Sequence, residues 1–315
     1  MIQDSKLQMP KSADRLDSRV IAVTGATSGV GYFIAEQLAE LGAAVIVIGR
    51  SATRALAAVE LLPHPHRHRV LVADLDDVDT VRSAGGRLAE LDRLDGLVLN
   101  AGVVSPDRMR RSGPFGVEHT MGVNHLAHAE LLRLALPALE RTPAARVIHL
   151  GSFVTEKYPF DPTDWLSVRE YRPRIAYTNS KHAVQLFGFE LARRLEDRGH
   201  STRSIVVHPG AAIDALTVDR PGIHQRSALQ RAAGAVLGPL FSRIVAGKQH
   251  AAQSAVLAVT APALPSMAYI GPERREVGIP RIVPAPPISL DPELGAFIWD
   301  ETERLLGRPI LTARD

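Results

Sequence analysis

Two side chains with complementary proton chemistry lie one helical turn apart in the second half of the chain. Tyr177 and Lys181, in the run YTNSK, are four residues apart within a stretch of helical spacing, so they share one face of that helix. A nearby ammonium group favours the phenolate and lowers the pKa of a tyrosine. The pair therefore predicts a proton donor or acceptor near neutral pH, although such pairs are also common on ordinary helices.

A second pattern with chemical meaning is the run VIAVTGATSGVG, from Val20 to Gly31. An apolar strand-like segment leads into a glycine turn and then into helical spacing. The free N–H groups and the positive dipole end of such a helix bind phosphate, and the hydroxyls of Thr24 and Ser28 add donors. A tight turn without a ligand is the alternative. The three glycines are Gly25, Gly29 and Gly31.

Strand-like and helical patterns alternate along the chain and supply the scaffold for these motifs. This alternation predicts an α/β fold: a doubly wound parallel sheet of Rossmann type, with about seven strands and helices on both faces. Ligands of such sheets bind beyond the carboxyl ends of the strands. The predicted strands are 20–23, 45–48, 70–72, 97–99, 146–150, 204–207 and 267–270; the predicted helices are 30–41, 52–61, 77–91, 117–139, 175–198, 226–259 and 292–306.

The domain organisation follows from the same pattern. We expect a polar N-terminal arm over 1–17 and a single catalytic domain over 18–315. Within that domain we expect a substrate-loop insertion at 153–175, a helical cap at about 215–248 and a C-terminal extension at about 275–315. The proline-rich stretch from Pro280 to Pro287 predicts a stiff, extended surface segment.

The residues after the second and third strands bear on the choice of cofactor. Arg50 stands about 20 residues beyond the glycine turn, where a fold that prefers NAD has an acid for the ribose 2′-hydroxyl. An arginine there pairs with a 2′-phosphate, so NADP is favoured, with NAD as the alternative. Asp74 either accepts from the adenine amino group or caps the helix predicted at 77–91.

The remaining strand ends bring further polar and small residues to the same crevice. Asn100, Ala101 and Gly102 form a small-residue turn against which a cofactor can lie flat. Ser152 places a hydroxyl after the fifth strand. The run His208-Pro209-Gly210 forms a rigid turn after the sixth.

Composition excludes several classes of protein. The net charge is only +3 and the arginines are spread along the chain, so we expect no nucleic-acid partner. With no cysteine, disulfides and thiolate metal sites are excluded. The loop histidines at 64, 66 and 68 lack an accompanying carboxylate, which favours a solvated loop and no metal site. We see no signal peptide and no transmembrane segment, and expect a cytoplasmic protein.

Taken together and in order, these motifs resemble the short-chain dehydrogenase/reductase superfamily. The similarity covers roughly residues 18–215. It rests on TGATSGVG, the Asp74-Leu75 pair, LNAG at 99–102, Asn124, Ser152, YTNSK and HPG.

The resemblance implies a role for each catalytic position. Tyr177 is the acid that protonates a carbonyl oxygen, or the base in the reverse direction. Lys181 lowers its pKa and holds the nicotinamide ribose, while Ser152 hydrogen-bonds the reacting oxygen. Asn124 helps to hold a water that relays protons to Lys181. Hydride transfer belongs to the cofactor.

The cofactor-binding set implied by the glycine turn, the strand ends and the resemblance is broad. It comprises Thr24, Gly25, Thr27, Ser28, Gly29, Val30, Gly31, Arg50, Ser51, Asp74, Leu75, Asn100, Ala101, Gly102, Tyr177, Lys181, Pro209, Gly210 and Ala212.

The spacing of Ser152 and Tyr177 indicates which branch of the superfamily the chain resembles. They stand 25 residues apart (177 minus 152), longer than is usual in the superfamily. The inserted segment is similar to the retinol dehydrogenase-like branch, which includes WW-domain oxidoreductases and light-dependent protochlorophyllide reductases. Members of that branch commonly use NADP, in agreement with Arg50. The superfamily often pairs subunits through the helices predicted here at 117–139 and 175–198, so a homodimer or tetramer is expected, with coverage of that face by the C-terminal extension as the alternative.

One position departs from the superfamily pattern. Asp214 stands where a threonine usually contacts the cofactor, and an acid sits badly beside a pyrophosphate; Thr217 is a candidate substitute. This departure supports an alternative function, a cofactor-binding regulatory protein with weak or no turnover. An isomerase or dehydratase using the same tyrosine is a third hypothesis.

We expect a hydrophobic carbonyl or alcohol substrate, bound by the insertion and by the stretch after Gly210. Ordinary core packing is the alternative for each apolar candidate. The candidates are Phe153, Tyr158, Trp165, Leu216, Ile223, Leu237 and Phe241.

Overall fold

A single eight-stranded sheet organises the computed structural model, which describes residues 16–104, 107–225, 227 and 245–312. The strand order is β3-β2-β1-β4-β5-β6-β7-β8. The first seven strands pair in parallel and the eighth pairs antiparallel with β7. The strands are β1 Val20–Thr24, β2 Ala44–Gly49, β3 Arg69–Val72, β4 Gly96–Leu99, β5 Arg146–Leu150, β6 Arg203–Val207, β7 Tyr269–Pro272 and β8 Pro280–Ile282. The predicted doubly wound α/β fold is confirmed.

The helices cover both faces of this sheet, and most bounds lie within two residues of the predicted ones. The helices are α1 Gly29–Glu40, α2 Ala52–Glu60, α3 Val78–Ala89, α4 His119–Met121, α5 Ala127–Arg141, α6 Pro173–Asp197, α7 Lys248–Ala251, α8 Gln253–Thr260 and α9 Pro292–Leu306. A π-helical turn, Gly122–Leu126, joins α4 to α5. The single helix predicted at 117–139 is therefore interrupted.

The second half of the chain departs from prediction at two places. The stretch predicted as one helix over 226–259 contains α7 and most of α8, while 226 and 228–244, with most of the expected cap, lie outside the described residues. The segment from Pro280 to Pro287 was predicted as a stiff, extended surface segment, and its first three residues form β8. Pro280 is tolerated because β8 is an edge strand. The strand was not predicted because three residues are too few to show an alternating pattern.

The loop before β3 holds the three histidines considered for metal binding. His68 is buried; its Nδ1 accepts from the Val45 amide at 3.0 Å, and its Nε2 lies 2.7 Å from the Pro63 carbonyl. The expectation of a wholly solvated loop is therefore wrong for His68, which fastens the loop to β2. In the part of the chain that the structure describes, no cluster of three or more potential metal ligands occurs.

The C-terminal helix α9 packs against α6 through an aromatic stack. The rings of Trp299 and Phe187 lie 5.2 Å apart and nearly parallel, at 11°. The guanidinium carbon of Arg194 lies over the Trp299 ring, 4.5 Å from its centroid. α6 corresponds to one of the two helices through which the superfamily often pairs subunits, and in the structure the chain's own α9 packs against it.

Two buried histidines line the core between α5, α6 and β5. His125 Nε2 lies 2.7 Å from the hydroxyl of Thr302, which itself donates to the Ile298 carbonyl, so His125 donates. His149 packs against the Phe187 ring, with centroids 6.0 Å apart. Burial lowers the pKa of each histidine to about 3, so both are neutral in the folded protein.

The stack of Trp299 on Phe187 predicts a large stability effect. Trp299 is 1% exposed, and truncation of a buried tryptophan to alanine costs about 3–5 kcal/mol. We expect Trp299→Ala to lower the free energy of unfolding by that amount in urea titrations. The matched control, Val168→Ala, alters a 68% exposed side chain and should cost under about 0.5 kcal/mol. Similar losses in both variants would contradict this packing.

The buried histidines predict a pH dependence of stability. Their pKa is depressed in the folded protein from an ordinary 6.5 to about 3, so the unfolded chain binds more protons between these values. The free energy of unfolding should be highest above pH 6.5 and fall below it by about 1 kcal/mol per histidine per pH unit. Urea titrations from pH 7.5 to pH 5 measure this. A stability that stays constant or rises on acidification would refute it.

Candidate active site

A cavity of about 1010 Å³ opens at the carboxyl ends of the strands, where β1 and β4 adjoin and the strand order reverses. Most residues predicted from the sequence meet here. Those lining it are Thr24, Gly25, Thr27, Ser28, Gly29, Val30, Gly31, Arg50, Ser51, Asp74, Leu75, Asn100, Ala101, Gly102, Ser152, Tyr177, Lys181, Pro209 and Gly210. Asn124 is not a lining residue, but its side chain bonds Val103, which is one. Ala212 is not a lining residue either, and it forms an isolated bridge with Ala246.

The glycine turn leaves no room for side chains. Gly25 and Gly29 have positive φ angles of 67° and 61°, which glycine adopts without strain. A Cβ at Gly31 would lie 2.3 Å from Asn100 Nδ2 and 2.4 Å from the Gly25 carbonyl oxygen. The turn therefore packs against the loop after β4 and leaves the start of α1 facing the cavity.

The hydroxyl of Thr24 points inward, not toward a phosphate. It accepts from the amides of Asn100 at 2.9 Å and Ala101 at 3.0 Å. Its oxygen also lies 2.9 Å from His128 Nε2. Thr24 is only 1% exposed, so its expected role as a phosphate donor is corrected: it holds the turn together.

His128 connects this threonine to Asn124. Burial lowers the pKa of His128 to about 4, so the ring is neutral. Its Nδ1 lies 3.1 Å from the Asn124 carbonyl oxygen, which can only accept, so Nδ1 carries the proton and Nε2 accepts from the Thr24 hydroxyl. His128 is not among the residues predicted from the sequence, although its spacing of four from Asn124 places both on one helix face.

Asn124 lies in the π-helical turn, and such turns are frequent at functional sites. Its side chain accepts from the Val103 amide at 2.7 Å and donates to the Val103 carbonyl and the Ser180 hydroxyl, each at 3.0 Å. Asn124 therefore fixes the loop after β4 beside α6. The loop passes close to this side chain, because a Cβ at Gly102 would lie 3.2 Å from Asn124 Oδ1.

Tyr177, Ser152 and Lys181 converge at the inner wall of the cavity. Ser152 hydrogen-bonds the Tyr177 hydroxyl, but burial outweighs that contact and raises the pKa of Tyr177. Lys181 Nζ donates to the Leu150 carbonyl at 2.8 Å and lies 5.9 Å from the Tyr177 ring centroid. Burial lowers the pKa of Lys181 to about 8. The expected lowering of the Tyr177 pKa is therefore reversed in this structure.

Two arginines line the far end of the cavity, where Arg50 alone was expected beside a 2′-phosphate. Arg50 is exposed after β2, and Arg54, which sequence reasoning missed, lines the cavity one turn into α2. Ser51 caps α2 by accepting from the Arg54 amide at 3.4 Å. The cap of α3 is Asp77 and not Asp74. Asp74 lines the cavity, and its carboxylate accepts from the Asp76 amide at 3.1 Å.

Asp214 is not among the residues that line this cavity, and its carboxylate is paired. Its carboxylate forms an ion pair with Lys248 and lies 3.9 Å from His224 Nδ1. Thr217 is buried; its hydroxyl donates to the Ile213 carbonyl and accepts from the Lys248 amide. Thr217 therefore does not substitute for the usual threonine, and Asp214 places no charge among the cavity residues.

The end of the cavity beyond Ser152 and Tyr177, here named the substrate end, is lined largely by residues other than the predicted ones. Among the apolar candidates that the structure describes, Phe153 lines the cavity, whereas Trp165 packs in the core against Phe297. Tyr158, Leu216 and Ile223 are not among the lining residues, and Leu237 and Phe241 lie outside the described residues. Other residues that line this end were not singled out from the sequence, and these are Val103, Val104, Val154, Lys157, Pro173 and Arg174.

Comparison with known proteins agrees with this geometry. The family model described as short chain dehydrogenase matches residues 19–218. Retinol dehydrogenase 13 of Homo sapiens is 31% identical over 95% of this chain and 88% of its own. Polyprenol dehydrogenase of Mus musculus is 32% identical over 92% of this chain and 84% of its own.

Solved structures show the same architecture. A crystal structure of an uncharacterized protein from Mycobacterium Paratuberculosis superposes with a TM-score of 0.76, at 26% identity over 97% of this chain and all of that one. The Pseudomonas aeruginosa RhlG/NADP active-site complex, at 24% identity and a TM-score of 0.61, covers 83% of this chain and 97% of its own, and shares the fold. The chain therefore belongs to the short-chain dehydrogenase/reductase family, in its retinol dehydrogenase-like branch, and is an NAD(P)-dependent oxidoreductase.

Proposed function

We propose that this protein uses NADP to interconvert a carbonyl and an alcohol, with Tyr177 as general acid or base. The observation that carries the proposal is the convergence of Tyr177, Ser152 and Lys181 on the cavity formed by the glycine turn. One cavity thus joins a phosphate-binding element to a proton-transfer group.

The cavity residues fit a dinucleotide cofactor. The close packing at Gly31 leaves the backbone of the turn and the start of α1 exposed to a pyrophosphate. Asp74 can accept from the adenine amino group, and Lys181 can hold the nicotinamide ribose. When bound, the nicotinamide supplies or accepts the hydride.

The preference for NADP rests on charge. Arg50 and Arg54 both line the cavity beyond β2, and no acid follows that strand directly. Guanidinium groups pair with phosphate through charge-assisted hydrogen bonds. An NAD-preferring site needs an acceptor for the 2′-hydroxyl at this position. NAD remains the alternative cofactor.

The raised pKa of Tyr177 suits the reductive direction, because the phenol stays protonated until it donates. Ser152 hydrogen-bonds that hydroxyl and is placed to bond the reacting oxygen as well. Lys181, with a pKa of about 8, is largely cationic at neutral pH. Its charge favours loss of the Tyr177 proton at the moment of transfer, and Asn124 is proposed to hold a water on the way to Lys181.

We propose a substrate with an apolar body. Val103, Val104, Phe153, Val154 and Pro173 line the cavity beyond the catalytic side chains. The names of the relatives specify retinol and polyprenol, both largely hydrocarbon, as those proteins' own substrates. That likeness supports a hydrophobic substrate here without identifying it.

The alternative, a regulatory protein with weak turnover, rested on Asp214. The ion pair with Lys248 removes that support. Among the described residues, no helix has the length and apolar character to cross a membrane. The cytoplasmic location and the homodimer or tetramer stay predictions, and the packing of α9 on α6 restricts where a second subunit could bind.

Replacement of Arg50 should abolish the NADP preference. We expect wild type to bind NADPH much more tightly than NADH in fluorescence titrations, and Arg50→Ala to lose roughly 1.5–3 kcal/mol toward NADPH alone. The control is Arg69→Ala, an exposed arginine at the amino end of β3, away from the cavity. Equal NADPH affinity in wild type and Arg50→Ala would contradict the assignment.

Replacement of Tyr177 should separate chemistry from binding. Tyr177→Phe keeps the ring and removes the hydroxyl, so we expect about 10²–10⁴-fold slower carbonyl reduction with NADPH still bound. Turnover is followed by loss of NADPH absorbance across a panel of ketones and aldehydes. Tyr171→Phe, whose side chain does not line the cavity, serves as the control. Wild-type turnover by Tyr177→Phe would exclude it as the acid.

A further inference from the structure

The substrate end of the cavity is positively charged. Lys157 and Arg174 line it, on the same side as Ser152 and Tyr177. Among the lining residues that the structure describes, Asp74 is the one acid, and it lies after β3 at the opposite end. An apolar substrate alone gives no reason for cations at this place.

Arg174 is the better placed of the two. It is the second residue of α6 and precedes Tyr177 by three positions, so the two share a helix face. Its guanidinium carbon lies 5.1 Å from the Tyr158 ring centroid, a contact that orients the side chain while leaving it exposed. Within the described part of the chain Arg174 has no acidic partner, in contrast to Arg172, which pairs with Glu170 at 2.6 Å.

The neighbouring charges are already balanced. Lys157 Nζ lies 3.4 Å from a Glu276 carboxylate oxygen and 4.8 Å above the Phe153 ring. Just beside it, Arg275 pairs with Glu156 at 2.8 Å. Apart from the catalytic Lys181, the cavity wall on the Ser152 and Tyr177 side therefore retains one cation without an acidic partner among the described residues, that of Arg174.

We infer that the substrate carries a carboxylate, which Arg174 binds while Tyr177 reaches the carbonyl or alcohol. This inference rests on the proposed function and narrows its substrate to an apolar molecule with an acidic group. One unbalanced guanidinium matches a monoanion better than a phosphate monoester of nearly double charge. Its planar fork also fits a carboxylate through two parallel hydrogen bonds. The three-residue spacing separates the two groups by roughly 4.5 Å of helix rise.

A matched pair of aldehydes tests the inference. The probes are 4-carboxybenzaldehyde and its methyl ester, reduced with NADPH, and the readout is the ratio of their kcat/KM values. We expect wild type to favour the acid by about tenfold or more. Arg174→Gln should bring the ratio close to one, and Arg174→Lys should keep part of it. Arg172→Gln, an exposed arginine outside the cavity lining, should leave the ratio as in wild type.

A binding experiment makes the result independent of turnover. The alcohol 4-(hydroxymethyl)benzoate and its methyl ester are titrated calorimetrically onto the protein saturated with NADP. Tighter binding of the acid that is lost in Arg174→Gln supports the inference even if neither aldehyde is reduced, an outcome that would count against the proposed function. Reduction of both aldehydes with no preference for the acid, or a preference unchanged in Arg174→Gln, overturns the inference and leaves the proposed function standing.

Discussion

The hydroxyl of Thr24 is the contact on which the rest of the site depends. At the end of β1, it accepts hydrogen bonds from the amides of Asn100 and Ala101, which follow β4, and it donates one to His128 Nε2. His128 in turn donates to the Asn124 carbonyl in the π-helical turn. One buried oxygen therefore fixes the glycine turn, the loop after β4 and the segment that carries Asn124. The buried side-chain polar atoms of this network all have partners, and removal of one partner would leave another unsatisfied at a high cost.

Close backbone packing imposes the second constraint. A Cβ at Gly31 would collide with both Asn100 and the Gly25 carbonyl, so α1 begins as near to β4 as the chain allows. Asn100 Nδ2 donates to the Thr24 carbonyl at 2.8 Å across the same gap. The helix N-terminus and the turn after β4 thus form one wall, and the crevice lies at the reversal of strand order, where doubly wound sheets bind their ligands.

Sequence patterns anticipated the parts of the structure that depend on local spacing. The alternation of strands and helices, the glycine turn and the four-residue spacing of Tyr177 and Lys181 are local, and their consequences were predictable. The partner of His128, the burial that raises the Tyr177 pKa and the pairing of β8 depend on tertiary contacts between residues distant in sequence. The same limit applied to Arg174, whose lack of an acidic neighbour among the described residues becomes visible only when the chain is folded.

Asp214 shows how tertiary structure can reverse the meaning of a single departure from a family pattern. From the sequence alone, a carboxylate after the Pro209-Gly210 turn is expected to repel a bound pyrophosphate. In the fold, the amide of Lys248 bonds the Thr217 hydroxyl while its ammonium pairs with Asp214. Lys248 thus ties the 214–217 turn to the start of α7 and neutralises the acid there. Because an ion pair cancels most of the field of each partner, the cations lining the cavity keep their influence on an anionic ligand.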